Sequence, residues 1–523
     1  MPTVLEIETR RQHHQVTLDA DRDQAERNRW GQFATPLPLA LEIAAYAAAL
    51  WRKRTDRVQF LDPALGTGSF YSALRQAFPA KQIGRAAGVE LDSRIVAAAS
   101  DLWVSSGLEV LAADFTELKS PASPNLFNLI LTNPPYVRHH HLELIAKKRL
   151  QHDVARNLGI GISGLAGLYC YFLLLADAWL APRGLAVWLI PSEFMDVNYG
   201  EAVKRYLTEH VKLLHIHRFC PLDVQFADAL VSSAVVVFEK TPPPKRHSVL
   251  FTHGGSLLDP ARKQRVPIAA LREAHKWTAF PTESKNVVEP DVDQATLADL
   301  FEIKRGLATG ANDFFILPRA EAAKLGIPKD AVKPVLPSPR HLHVEIIDGD
   351  DKGYPSEVPA LCLIDCRLPE ETLREKYPAF WKYLEDGERR DIDKGYITSR
   401  RTPWYSQETR APSPFLCTYM GRPGNGGRKP FRFIWNRSRA TATNLYLMLY
   451  PKAELAQALS EQPALYEKVF RELQAFGTDT FLREGRVYGG GLYKMEPTEL
   501  GRLPATQILR AIDLTLSRQN TLF

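Results

Sequence analysis

Phe60-Leu61-Asp62-Pro63-Ala64-Leu65-Gly66-Thr67-Gly68-Ser69-Phe70 passes from an apolar run through a glycine turn into a helix-forming segment. Gly66 and Gly68 let the backbone bend tightly and approach a ligand where a Cβ would clash. The helix that starts after them offers free amide groups in its first turn, a setting suited to a carboxylate or a phosphate. No Gly-Lys-Ser/Thr follows, so a triphosphate would lack its lysine, and the spacing is not the G-x-G-x-x-G of a dinucleotide site. Alone, such a turn is also a plain strand-to-helix connection.

The flanking pattern extends the reading. Strands are expected at Val58–Leu61, Ala86–Val89, Glu109–Ala112, Leu126–Thr132, Leu185–Ile190, Val211–His215 and Val231–Phe238. Helix formers lie between them at Pro38–Trp51, Phe70–Phe78, Ser93–Val104, Leu165–Leu180 and Glu201–Glu209. This alternation predicts an α/β fold, a doubly wound Rossmann-like sheet of seven strands, mostly parallel and complete by about Lys240. Thr241-Pro242-Pro243-Pro244-Lys245 cannot continue a helix or a central strand and reads as a stiff linker. The expected domains are therefore residues 1–240 and a mixed α+β domain over residues 245–523, with no internal repeat.

Composition sets outer bounds. The 523 residues exceed one ordinary core, and 45% hydrophobic with 24% charged residues is a globular balance. A net charge of +6 permits a polyanionic partner without demanding one. No apolar run reaches a membrane span, and residues 1–29 lack the core of a secretory signal, reading as an ordinary leader or short helix. The five cysteines are scattered; Cys362 and Cys366 would supply half a zinc site, and the set fits a reducing cytosol. His139-His140-His141 diverge as consecutive side chains and have no acid or cysteine partner at ligand spacing, so no metal is expected.

Two further strand ends carry acids. Glu90 closes the second strand, where a carboxylate can accept from both hydroxyls of a ribose. Asp114 closes the third and can accept from an adenine amine while Phe115 packs on the ring. Each acid alone is also a helix cap. Together with the glycine turn, they point to a nucleoside ligand at the carboxyl edge of the sheet.

The fourth strand delivers Asn133-Pro134-Pro135-Tyr136. Two prolines fix φ and remove backbone donors, leaving a stiff loop that presents acceptors. An aromatic amine is a poor nucleophile because its lone pair is delocalised into the ring. Accepting its two hydrogens, on the Asn133 side-chain oxygen and the Pro134 carbonyl, draws the nitrogen towards tetrahedral geometry and aims the lone pair at a sulfonium methyl. Tyr136 would give a flat face to a base taken out of its stack.

At these residues the chain resembles the gamma-class N6-adenine DNA methyltransferases of bacterial restriction–modification systems, of the TaqI type, over roughly its first half. The resemblance implies S-adenosyl-L-methionine as cofactor. It puts Thr35 and Pro36, in Gly31-Gln32-Phe33-Ala34-Thr35-Pro36, beside the methionine moiety together with Asp62, Pro63, Gly66 and Gly68. Glu90 matches the ribose acid, Asp114 the adenine-amine acceptor, Phe115 the residue on the cofactor ring, and Asn133 to Tyr136 the catalytic motif. Phe226 looks like the aromatic facing the flipped adenine from the other side, although the residues alone equally permit a core phenylalanine. Pro191-Ser192-Glu193-Phe194-Met195 stands where the family has a proline-led strand end.

The second half would then be a DNA target-recognition domain. Arg422, Arg428, Lys429, Arg432, Arg437 and Arg439 form an acid-free basic run interleaved with Phe431, Phe433 and Trp435, suited to phosphates and base edges, though a solvated basic loop has the same composition. Tyr488 to Lys494 is a second glycine-rich loop. The implied partner is double-stranded DNA, with a cognate restriction endonuclease acting separately; no N-terminal nuclease fusion is expected. A monomer in a bacterial or archaeal cytoplasm is the expectation. The same tetrapeptide chemistry also serves an RNA adenine or a protein glutamine, and a non-catalytic DNA-binding subunit would share the fold.

Overall fold

The computed structural model describes residues 3–21, 30–220, 232–281, 295–422, 429–488 and 491–514, with the single residues 26, 223 and 225. The chain divides into two compact units, Met1–Val287 with Tyr488–Gly491, and Val288–Val487 with Leu492–Phe523. Among the described residues no helix is long and apolar enough to cross a membrane.

The first unit opens with α1 (Val4–Ala20), started by a capping box in which Thr3 and Glu6 satisfy each other's backbone amides. The alanine-rich α2 (Leu37–Trp51) follows Pro36 and buries Leu39, Ile43 and Trp51 on one face. Then come β1 (Val58–Asp62), α3 (Ser69–Ala77), β2 (Ile83–Glu90), α4 (Ser93–Trp103), β3 (Leu108–Ala112) and β4 (Phe127–Thr132). Asp92 caps α4 by accepting from the Arg94 amide at 2.9 Å. After β4 lie α5 (Leu144–Leu158), α6 (Leu168–Leu175), β5 (Leu180–Pro191), α7 (Glu201–Arg205), β6 (Lys212–Arg218) and β7 (Ser233–Glu239).

The strands form one sheet in the order β3-β2-β1-β4-β5-β7-β6, extended by β8 (Ser248–Gly255) and β9 (Pro260–Pro267). β3, β2, β1, β4 and β5 run parallel, and β7 is antiparallel to both β5 and β6. The central strands are buried nearly throughout, because helices cover both faces, and so read as apolar runs rather than alternations. The doubly wound α/β expectation is met, with nine strands rather than seven. The proline run at 242–244 bounds no domain: β8 pairs parallel with β6, and β9 pairs back on β8. Two expected helices are also shorter. That at Leu165–Leu180 becomes α6 and a 3-10 turn at Ala176–Trp179, and that at Glu201–Glu209 becomes α7 and a wide turn at Tyr206–His210.

The second unit is mixed α+β. A five-stranded sheet contains Phe301–Arg305, Tyr446–Pro451, Phe415–Thr418, Phe433–Asn436 and Ile346–Ile347, in that order. The helix Leu465–Ala475 buries Leu465, Val469, Phe470 and Leu473 in a core shared with Phe415, Phe433 and Leu449.

Candidate active site

The carboxyl ends of β1, β2, β3 and β4 open on one cavity of about 510 Å³, within the range of small-molecule sites. Pro63 and Gly66, Glu90, Asp114 and Phe115, and Asn133 and Pro135 all line it. Residues between Pro63 and Pro135 thus meet because each stands at or just past the carboxyl end of a parallel strand. This brings together the core of the cofactor and catalytic sets expected from sequence.

At the glycine turn, Gly66 has φ +55°, and a Cβ there would meet nothing within 4 Å, so its open side faces the cavity that it lines. Gly68 belongs to the opposite side of the turn, packed on Trp103, whose indole donates to the Thr67 carbonyl at 2.8 Å. The Glu90 carboxylate accepts from the amides of Gly66 (3.0 Å), Leu91 (2.9 Å) and Asp92 (2.9 Å). It therefore shapes the turn, while a carboxylate's roughly four acceptor positions leave room for a ligand hydroxyl. Burial raises its pKa against the lowering by those amides.

Asp62 is buried and does not line the cavity. One carboxyl oxygen accepts from the Thr132 hydroxyl at 2.7 Å and the Ala64 amide at 3.1 Å, and the other has no partner among the described residues. Burial pushes its pKa up to about 7, opposed by the Thr132 and Ala64 hydrogen bonds and reinforced by Glu90. Thr132, unremarked in the sequence, thereby ties the glycine turn to the residue preceding Asn133.

Asp114 accepts from the Thr116 amide and hydroxyl, both at 2.8 Å, and so caps a short turn as well as lining the cavity. Phe115 packs against Phe172 and Trp179, with ring centroids 5.2 and 5.3 Å away. Arg149 on α5 holds this loop by donating to the Thr116 carbonyl at 2.8 Å.

The Asn133 side chain is oriented by segment 31–36. Its amide nitrogen donates to the Phe33 carbonyl at 3.0 Å and to the Thr35 hydroxyl at 3.1 Å. A carbonyl can only accept, so the nitrogen is fixed on that side and the oxygen on the other. That oxygen is buried and has no protein partner among the described residues. Thr35 therefore acts on Asn133 rather than lining the cavity, and neither Pro36, which precedes α2, nor Pro134 lines it. Gly31 has φ +61°, its carbonyl accepts from the Tyr136 amide at 3.0 Å, and a Cβ there would stand 2.4 Å from that nitrogen. Only glycine lets the two loops touch.

Tyr136 is 8% exposed, its hydroxyl donates to the Leu189 carbonyl at 3.2 Å, and its ring packs on Phe33 and Tyr169. These contacts anchor the loop in the core. Phe226 lies outside the described residues. In the second unit, Arg428 also lies outside them, and the basic run is less uniform than its composition. Arg432 donates to the carbonyls of Pro339 and Leu342 (3.0 and 2.7 Å), and Lys429 to that of Gln474 (2.5 Å). Arg437 pairs with Asp348 at 2.9 Å; Arg422, Arg437 and Arg439 are exposed. Phe431 and Phe433 are core residues, whereas Arg437 and Arg439, past the end of the strand Phe433–Asn436, are exposed.

A sheet of order 3-2-1-4-5-7-6 with an antiparallel seventh strand, glycine turn, strand-end acids and an Asn-Pro-Pro-Tyr loop defines the class: a methyltransferase of the Rossmann-like type. More narrowly, residues 95–224 match the family model for the Eco57I restriction–modification methylase, and residues 275–521 that for the C-terminal domain of Type II methyltransferase M.Eco57I. The chain is 27% identical over 490 residues to Type II methyltransferase M.XamI of Xanthomonas campestris pv. amaranthicola, covering 92% of this chain and 86% of the relative. It is 25% identical over 518 residues to Type II methyltransferase M.AccI of Acinetobacter calcoaceticus, covering 94% and 88%. Among solved structures, the Type IIL restriction–modification enzyme MmeI in complex with DNA shares the fold at a TM-score of 0.53 and 12% identity. That match covers 89% of this chain and 65% of the MmeI chain, so this chain spans just under two thirds of that enzyme.

Proposed function

We propose that this protein is a site-specific, adenine-specific DNA methyltransferase, the modification component of a restriction–modification system, acting on the N6 amine of an adenine flipped out of double-stranded DNA. The observation that carries the reading is Asn133: its nitrogen is tied down by Phe33 and Thr35, and its buried oxygen is left as an acceptor in a loop bordering the cavity.

S-adenosyl-L-methionine is the cofactor, and the residues present fit it. Glu90 retains acceptor capacity for a ribose, Asp114 and Phe115 offer a carboxylate and a ring edge for adenine, and Gly66 is open where an amino-acid chain must pass. The cofactor supplies an electrophilic methyl on a sulfonium. The chain's own residues do the positioning. The Asn133 oxygen and the Pro134 carbonyl accept the two amine hydrogens, so the nitrogen lone pair leaves conjugation and points into the cavity. Tyr136, Gly31 and Thr132 keep that loop rigid, and no side chain forms a covalent bond. The second unit supplies target recognition, with Arg422, Arg437 and Arg439 its best-placed exposed cations and Arg428 a further candidate.

Duplex DNA incubated with methyl-labelled cofactor, digested and resolved as nucleosides tests this. The label is expected in N6-methyldeoxyadenosine and absent from RNA and protein; label in another base or in protein would sink the reading. Asn133→Ala is expected to lose at least about a hundredfold in turnover, the scale of a single preorganised polar contact, while binding S-adenosylhomocysteine nearly as before.

A further inference from the structure

The helix α1 buries an ion pair beside its apolar contact with the core. Glu8 and Arg11 are each 3% exposed and Ile7 2%, while Leu5 and Val16 stand exposed at 67% and 68%. A helix added for stability alone would place apolar residues where Glu8 and Arg11 lie. Burying an ion pair costs desolvation that its attraction repays only with good geometry, so stability alone does not account for this face.

The geometry shows what the polar face touches. The Arg11 guanidinium donates twice to the Glu8 carboxylate, both at 2.8 Å, and once to the Thr67 hydroxyl at 2.9 Å. That hydroxyl donates to the Gln15 side-chain oxygen at 2.8 Å, and the Gln15 nitrogen donates to Asp19 at 2.9 Å. Residues 8, 11, 15 and 19 follow helical spacing and share one side of α1. The chain of bonds runs from the glycine turn along the helix, and Gln15, Leu18 and Asp19 line the same cavity as Gly66, Glu90 and Asn133.

We infer that α1 is a wall of the cofactor site, and that Asp19, set by Gln15, holds the amino-acid end of the methyl donor through its ammonium group. The inference rests on the cofactor reading given above. The cavity's chemistry is divided: Glu90, Asp114 and Phe115 suit a nucleoside, whereas Asp19, on the α1 wall, offers a carboxylate, the complement of an ammonium group. Arg11, clasped by Glu8 and Thr67, is a positioning residue that docks the helix.

Two ligands separate the ends. S-adenosylhomocysteine carries both, and 5′-methylthioadenosine lacks the amino-acid portion. In calorimetric titrations of the full chain, Asp19→Asn is expected to weaken S-adenosylhomocysteine about tenfold and methylthioadenosine by less than about twofold. Retained methylthioadenosine binding reports an intact fold and nucleoside end. Equal losses for both ligands, or no loss for either, would overturn the role of Asp19. Failure of the unaltered chain to bind either compound would instead overturn the cofactor reading, and this inference with it.

Discussion

The hydroxyl of Thr132 is a small group with two consequences. It donates to Asp62 inside the sheet, and it belongs to the residue immediately before Asn133. Removing it leaves a buried carboxyl with one partner fewer, a change that costs about 1–3 kcal/mol. It also releases the strand end that aims the Asn133 amide. Thr132→Val is therefore expected to lower the melting temperature and reduce kcat more than it raises KM for the methyl donor; steady-state kinetics beside a thermal melt would check this. Equal turnover in the two proteins would mean that the loop is held without this contact. The tetrapeptide and the strand-end acids were legible because their chemistry lies in the residue type. Thr132 was not, because a threonine ending a strand is ordinary until its partner, 70 positions earlier, is known. The surroundings of Tyr136 were not legible either, since only packing places its ring beside Phe33 and Tyr169.

Among elements, the segment from Gly31 to Thr35 acts as a brace for the Asn133–Tyr136 loop. Gly31 sits against the backbone of Tyr136 and Val137, with no room for a Cβ. Gly31→Ala must push that loop aside and strain a positive φ, so a loss of about a hundredfold in kcat is expected from a displacement of an ångström or so. Gly66→Ala shares the strain of a positive φ, but its Cβ meets no protein atom, and the expected effect is a raised KM for the methyl donor with a smaller change in kcat. Comparable kcat losses in both would argue against a separate bracing role for Gly31. Most strands were legible from their apolar runs. β8 and β9 were missed because three prolines look like a border, yet the chain simply loops there and returns to the sheet. α1 agrees with the short-helix reading of residues 1–29, but its place beside the cavity was not legible, since inward-facing Glu8 and Arg11 escape any pattern based on hydrophobic faces. In the second unit, composition alone did not separate the core aromatics Phe431 and Phe433 from the exposed cations beside them.

Across the molecule, three buried titratable groups set opposing pH trends. His215 and His217 are buried on β6 and share the Thr252 hydroxyl, at 2.6 and 2.8 Å. Burial lowers their pKa values to about 4 and about 3 from 6.5, with His217 further lowered by His215 and His253. Their neutral forms favour the fold, so this stabilisation is complete above about pH 6.5 and is lost as acid protonates the unfolded chain. Asp62 works the other way. Its raised folded value of about 7, against 3.8, gives stability that is present in acid and lost as the pH rises from 4 through 7. The two histidines outweigh Asp62 and the smaller contribution of Glu90, which burial also raises, so urea midpoints are expected to climb from pH 4 to about 6.5. Asp62→Asn should steepen that climb. A midpoint flat across this window would contradict the burial of the histidine pair.

The sheet's last strand carries a quieter implication. β9 forms its border with exposed Arg262, Lys263 and Arg265. A second molecule trying to continue the hydrogen-bond ladder there would bring another row of cations against these, so strand-by-strand growth into fibrils is resisted from the outset.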